Sequence, residues 1–445
     1  MATLARLTGV RDWLCEPEDA AGLRAFRAIF GGVMVFAVVR FLAYDWDHSL
    51  YAAPSFHFSY PGFDWVKPLR APWLEVQFGV MALAAFAVMV GYHPRTTAAL
   101  FAFLFTWAEF LDAATYLNHY YLISLLAALL AILPTPAGFT DRTGSVVPRW
   151  ALLCLRVQVA IVYVYAGLWK LDGDWLLTAE PLRTWLRAHA HIPGLGPLLD
   201  TDLAAHAMSL FGAAFDLTIP FLLSWSRSRT CAYAVAVVFH VTIWLLFPVG
   251  VFSWVMLAAA TIFWSPSWPR AFYARVTGRP APSPTVYALP KSRWPLGLVA
   301  LWLIMQVLIP ARCLLYPGNT NWTEEGFRFA WRVMLVEKTG QVELRVLSRR
   351  SDGSMSERRV YPSTFLTPLQ LRQMPTQPDL IHQVARYARA EAEAAGSTEV
   401  EVYADAFVSW NGRPSARLID PTVDLAAEPR TLGPARWIVP APSSS

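Results

Sequence analysis

Four places in this chain set polar or ionisable groups against long apolar runs, where such groups are costly and therefore candidates for function. The first is Tyr163-Val-Tyr165-Ala-Gly-Leu-Trp169-Lys170-Leu-Asp172-Gly-Asp174-Trp175. Two readings of Lys170 are open. It can snorkel to a membrane interface, pair with Asp172 or Asp174 and sit between interfacial Trp169 and Trp175. Alternatively, aromatic neighbours strip it of water, so that it gives up its proton and acts as a base. Lysine can lose its proton in a protein, whereas arginine cannot. The second place is Asn118-His119 at the start of an apolar run, where Asn118 suits a helix N-cap and His119 suits an interface. The third is His240 in Val-Val-Phe-His-Val-Thr, either a neutral histidine bonded to a neighbouring helix or part of a ligand cavity. The fourth is Asp216 in Phe-Asp-Leu-Thr-Ile-Pro, a carboxylate that needs an ion-pair, hydrogen-bond or ligand partner there.

The elements that must position these groups are membrane helices. Of 445 residues, 55% are hydrophobic and 16% charged, against about 25% charged in soluble domains. A spanning helix needs roughly 20 mostly apolar residues. Runs near 23–44, 74–92, 96–113, 119–135, 151–169, 203–224, 230–247, 249–264 and 296–316 fit, with the seventh and eighth joined tightly at Pro248 and Gly250. The expected fold is a polytopic α-helical membrane protein of about nine spans (residues 1–316) with a C-terminal extramembrane α+β domain (317–445). Arg6, Arg11, Arg24 and Arg27 precede or open the first span, and Arg95 follows the second. Arg142 and Arg149 follow the fourth, and Arg227 and Arg229 the sixth. Arg270, Arg275, Arg279, Lys291 and Arg293 follow the eighth. With nine spans all of these fall on one side. The positive-inside rule makes that side cytoplasmic and puts the C-terminal domain outside.

Residues 265–295, with Pro280, Pro282 and Pro284, read as a cytoplasmic linker, and the tail from about 435 reads as frayed. Between them, Gly340–Val346 and Arg358–Tyr361 read as strands flanking a Ser-Asp-Gly-Ser turn. Residues 379–395 carry Leu380, Ile381, Val384, Ala385 and Tyr387 at helical spacing. Val400, Val402 and Ala404 alternate as in a half-buried strand.

The net charge of +5 is dispersed in short loops rather than gathered in a basic domain, so nucleic acid is not the expected partner. The 37 basic residues include only four lysines, Lys67, Lys170, Lys291 and Lys338. Cys15, Cys154, Cys231 and Cys313 have no metal-ligand spacing. The first apolar run lacks a small-residue cleavage site and reads as a span rather than a signal peptide. On the nine-span count His119, Lys170 and the C-terminal domain share the outer side. A site at that boundary, roofed by a soluble domain, suits chemistry between a lipid-soluble cofactor and a water-soluble substrate.

The stretch Leu155–Trp175 around Tyr163, Trp169 and Lys170 resembles the most distinctive motif of the vitamin K-dependent γ-glutamyl carboxylase family. Further similar blocks follow the family's order: Asn118-His119-Tyr120-Tyr121-Leu122, Phe215-Asp216-Leu217, Phe239-His240, Gly250-Val-Phe-Ser253-Trp-Val-Met256, Ser265-Pro-Ser-Trp268-Pro-Arg270, Asn321-Trp-Thr323 and Asp420-Pro421-Thr-Val-Asp424. Glu324–Met334 is similar to bacterial members with the horizontally transferred transmembrane domain. The resemblance implies an enzyme that oxygenates reduced vitamin K (phylloquinol or menaquinol) with O2. It would use the strong base so generated to remove a γ-proton from protein glutamate, which then takes up CO2. The implied partners are the lipid bilayer and a glutamate-containing protein or peptide, with no metal or nicotinamide cofactor. The implied catalytic base falls on Lys170 and the assisting histidine on His119. His240, Asn118, Tyr163, Trp169, Trp175 and Asp216 form the implied quinone site or pocket, where water must be excluded lest a strong base be quenched. The location implied is a bacterial inner membrane with the C-terminal domain in the periplasm.

Two departures bear on the implied substrate. Animal members carry two adjacent lysines where this chain has Trp169-Lys170. Their disulfide to the lumenal domain has no counterpart, because the C-terminal domain has no cysteine. Two other functions stay open: a quinol oxygenase without carboxylation, and a non-catalytic membrane binding or maturation protein.

Overall fold

The computed structural model describes residues 9–135, 146–281, 283–284, 294–349 and 353–442. Arg6, Arg142, Pro282, Lys291, Arg293, Ser351, Asp352 and the three terminal serines, which figure in the sequence expectations, lie outside the described residues. Helices occupy each of the nine apolar stretches. They are α1 (Ala21–Ala43), α2 (Trp73–Val90), α3 (Pro94–Phe110), α4 (Asn118–Ile132), α5 (Arg149–Trp169), α6 (Asp202–Ser224), α7 (Arg229–Leu246), α8 (Phe252–Ala260) and α9 (Trp294–Ala311). By length and composition α1, α2, α5, α6, α7 and α9 can cross a membrane; α4 and α8 are shorter apolar helices, and α3 has 17 residues. The helices turn large apolar side chains outward, as with Leu298, Leu301, Ile304 and Leu308 along α9. In water such a continuous patch would drive association; in lipid it is the expected surface. This is a membrane protein with an extramembrane α+β domain.

Close helix contacts depend on glycine at two places. A Cβ on Gly31 of α1 would lie 2.5 Å from the Met89 backbone nitrogen of α2, and one on Gly167 of α5 would lie 2.9 Å from the Leu217 nitrogen of α6. The orientation reading counted Arg27 among the loop positives. Instead Arg27 is fully buried in α1 and donates from Nη1 to Val88 O at 2.7 Å, at the carbonyl end of α2 where a cation is favoured. The linker expected at 265–295 contains a helix, Trp268–Thr277, and Arg270 within it pairs with Asp19 at 2.6 Å. Pro17–Asp19 (β1) and Val146–Pro148 (β2) form a small antiparallel pair with no signal of alternation in sequence.

The C-terminal domain is a four-stranded antiparallel sheet in the order β4–β3–β5–β6, made of Lys338–Arg349 (β3), Met355–Val360 (β4), Thr398–Trp410 (β5) and Ala416–Arg417 (β6). Helix α10 (Pro378–Ala394) buries Leu380, Ile381, Val384, Ala385 and Ala388 in the same core as alternate β5 residues. The tail is not frayed: Trp437 is buried, Ile438 bridges Ile419, and Val439 N donates to Leu418 O. Backbone donors and acceptors left over beside β6 give that segment its partners. All four cysteines are free.

The domain is built around loops of the helical part. Phe58, Tyr60, Ala113 and Ala114 belong to its core. Gln370 Nε2 donates to Asp112 Oδ2 at 2.6 Å, and Ser59 N donates to Gln383 Oε1 at 2.9 Å. Two carboxylates clamp the seam. Asp379 binds Arg430 and Arg328, and Asp174 binds Arg413 and Asn411. Burial pushes both carboxyls up, but their hydrogen bonds and the arginine charges outweigh it, so both lie below the ordinary 3.8. A depressed acid stabilises the fold above its unfolded value and loses that contribution as pH falls through the folded one. Acidification from pH 5 toward 3 is therefore expected to loosen this seam before the helical core opens. Hydrogen exchange that rises at 56–64, 172–180 and 377–383 ahead of α5 and α6 would bear this out; simultaneous opening would not.

Candidate active site

Lys170 closes α5, and its position follows from helical spacing. Tyr163, Ala166, Gly167 and Lys170 recur at i, i+3, i+4 and i+7 and so share one face. That face meets α6, where Gly167 admits Leu217 closely and so brings the preceding residue, Asp216, to Lys170. Lys170 Nζ donates to Asp216 Oδ2 at 2.7 Å, with the two side chains 6% and 8% exposed. It also lies 3.4 Å from both Ala166 O and Val333 O, and 5.1 Å from the Trp175 ring centroid. Pro220 has no N–H for the Asp216 carbonyl four residues earlier, so one rung of the ladder is missing at this level while α6 runs on to Ser224. The partners expected for Lys170 are engaged elsewhere: Asp172 accepts from Trp175 N at 2.9 Å, and Asp174 holds Arg413.

The ion pair faces a small cavity of about 60 Å³, walled by Val162, Phe239, Ile243, Phe247, Phe252 and Met256. Tyr163 and His240 lie on the same wall, joined at 2.9 Å between the phenol oxygen and Nε2; His240 Nδ1 is buried with no partner among the described residues. Trp175 was open to two readings, interfacial or pocket wall. It is buried, its indole donating to Ser209 O at 2.8 Å, so that it forms part of the cavity beside Lys170.

His119 does not line this cavity. Its ring lies 5.8 Å from Phe252, which does, and its Nε2 is buried with no partner among the described residues. Asn118 does not cap α4; Leu117 is the capping residue. Asn118 accepts from Tyr116 OH at 3.0 Å and donates to Arg332 O at 3.1 Å. Trp169 Nε1 donates to Ala330 O at 2.6 Å while the Arg332 guanidinium stacks 4.4 Å above its ring. Thus Asn118, Trp169 and Lys170 all bind carbonyls of one strap, residues 330–333. The strap was missing from the sequence expectations as part of the site. It carries positive φ at Phe329 (64°), Trp331 (58°) and Met334 (57°), and Val333 and Met334 close the cavity. Bulky residues do not favour that backbone region, so no local preference foretold the path. The one available signal was an aromatic and Met run lacking both helix and strand periodicity.

Apolar walls with a few converging polar groups are the usual make-up of a small-molecule site. The cavity offers a buried amine, a carboxylate, a phenol and an imidazole nitrogen without a partner, which fit a flat apolar ring bearing hydroxyl groups. Gly167→Val should break this arrangement, because a Cβ there already falls 2.7 Å from Leu217 Cγ. Overpacking of this kind costs about 1–3 kcal/mol. The expected result is a lower melting midpoint together with loss of the Lys170–Asp216 contact, read as changed reactivity of Lys170 toward an amine reagent.

Two families match the chain. The HTTM domain matches residues 15–268, and the Vitamin K-dependent gamma-carboxylase, lumenal domain, matches 291–444. No solved structure gives a significant match.

Proposed function

The chain belongs to the vitamin K-dependent γ-carboxylase family, with an HTTM domain followed by the family's lumenal domain, and from that premise we propose that it oxygenates a reduced quinone and couples this to γ-carboxylation of protein glutamate. The observation that carries the proposal is a lysine amine buried in an apolar cavity and hydrogen-bonded to a carboxylate 46 positions away. When bound, a reduced vitamin K would supply a hydroquinone that reacts with O2 and, as it becomes the epoxide, a base strong enough for the γ-proton of glutamate. Lys170 takes a hydroquinone proton. Asp216 lets it do so: moving a proton from Nζ to Oδ2 along the 2.7 Å hydrogen bond yields a neutral amine without changing the net charge of the pair. Tyr163 and His240 orient the ring, and Trp175 with the strap at 330–334 excludes water.

In this reading residues 1–316 form a nine-span membrane part, α3, α4 and α8 crossing as short helices packed among longer ones, and residues 317–445 form an extracytoplasmic domain. The membrane is a bacterial inner membrane with the N-terminus inside. The protein substrate approaches along the groove between Tyr60, Arg312, Glu325, Arg328 and the 428–438 segment, which Phe329, next to the strap, also lines. His119 assists at the substrate carbon. One observation favours a second reading, a quinol oxygenase without carboxylation: Phe252 stands between His119 and the Lys170 cavity.

The deciding assay uses protein in lipid nanodiscs with reduced vitamin K or menaquinol, O2, labelled bicarbonate and a glutamate-containing peptide, following epoxide and peptide-bound label together. Both products are expected. Epoxide alone across a peptide panel would favour the second reading, and neither product with any quinol would overturn both. His119→Ala is expected to depress label more than epoxide, by about 10²-fold if its role is general acid–base assistance.

A further inference from the structure

A second cavity, of about 40 Å³, lies among α1, α2, α3 and α4. Its polar groups come from four segments: Arg40 near the end of α1, Tyr51 in the loop that follows, Glu109 near the end of α3, and Tyr120 in the first turn of α4. Phe78 and Phe105 supply apolar wall. Among the described residues neither Arg40 nor Glu109 forms an ion pair. The Arg40 guanidinium lies 5.1 Å over the Trp46 ring, and its Nε is buried without a hydrogen-bond partner. The turn at Gly250–Val251 approaches the same guanidinium, closing the cavity from the α8 side.

The Arg40 guanidinium is half-buried, and its buried Nε has no hydrogen-bond partner among the described residues, which leaves donors available to an anion. Its planar fork of donors matches a planar oxyanion, which it can hold through two parallel hydrogen bonds. His119 lines neither cavity but packs against one residue of each. Tyr120, the residue next to it, faces this one, and Phe252 faces the cavity of Lys170.

We propose that this second cavity binds a small planar oxyanion of the carboxylate class, bicarbonate or a glutamyl side chain, through Arg40. The proposal deepens the functional reading above and rests on it for its meaning, but not for its test. It divides the protein into two chambers, one for the quinol beside Lys170 and one for the carboxyl or one-carbon substrate beside Arg40, with His119 packed against one residue of each. Glu109 is the group that opposes an anion: ionised it repels one, and protonated it donates a hydrogen bond to it.

The test measures the melting midpoint of the full chain in nanodiscs without quinone, at constant ionic strength, with bicarbonate, acetate or N-acetylglutamate amide against chloride. A ligand that binds only the folded state raises the midpoint. A rise is expected for the wild type, a rise at lower ligand concentration for Glu109→Gln, and none for Arg40→Leu. Should Arg40→Leu fail to fold, Arg40→Lys keeps the charge over Trp46 but not the fork, and should need about tenfold more ligand. Bicarbonate alone would assign the one-carbon substrate; capped glutamate, with or without acetate, would assign the side chain. No rise with any of the three, or equal rises in wild type and both Arg40 variants, would overturn the proposal. A wild type that shows these shifts yet forms no epoxide would sink the oxygenation reading while leaving the Arg40 site standing.

Discussion

Lys170→Arg is expected to lower quinol epoxidation as far as Lys170→Ala does, by about 10²–10⁴-fold, the range ascribed to a positioned general base. The arginine variant keeps the positive charge, the pairing with Asp216 and much of the side-chain volume, so it should fold and melt near the wild type. It cannot become neutral, because guanidinium does not lose its proton in a protein. The comparison therefore separates two roles that a change to alanine confounds. Were Lys170 only a counter-ion that shapes the cavity, arginine would serve and most of the epoxide would remain. Retention of more than about a tenth of the wild-type rate by Lys170→Arg, far outside the loss a general base entails, would remove Lys170 from the proton chemistry. The readout is initial-rate epoxide formation at saturating quinol, with the melting midpoint of each variant measured alongside.

The helices were legible because a bilayer imposes length and apolarity, which a sequence states openly. Every apolar stretch became a helix near its expected ends, and the alternation of Val400, Val402 and Ala404 led correctly to β5. Lys170, Tyr163, Asp216 and His240 stood out for the related reason that polar groups in such surroundings are conspicuous, and the structure brings these four to one cavity. Pairing was not legible. Asp172 and Asp174 lie close in sequence and were the natural partners for Lys170, yet the chain turns them toward Trp175 N and Arg413. The partner on α6 depends on Gly167 admitting Leu217, a fact of packing rather than of local preference. Arg27 misled in the opposite way. It has the composition of a loop positive but is buried against the end of α2. The strap at 329–334 follows a backbone path that its own side chains disfavour, so only its contacts with Asn118, Trp169 and Lys170 explain it.

Asp216→Asn is expected to be the most destabilising single change at the site and to abolish activity as well. It leaves the Lys170 ammonium, 6% exposed, beside an amide that cannot neutralise it. Removing one partner of a buried ion pair costs about 3–5 kcal/mol, because the other charge is left uncompensated. Combining Lys170→Met with Asp216→Leu removes both charges while keeping apolar volume, and such replacements are often neutral or stabilising. The double variant should therefore recover most of the lost stability in a thermal or denaturant melt and still make no epoxide. A pair that served structure alone would give a double variant restored in both respects. A double variant as unstable as Asp216→Asn would instead mean that the carboxylate supports α6 by some route other than Lys170, for instance at the missing rung opposite Pro220. The asymmetry expected between stability and activity is what makes the pair chemical. On the proposed mechanism, two charges that could be exchanged for hydrocarbon without loss of fold would matter because the proton between them can move.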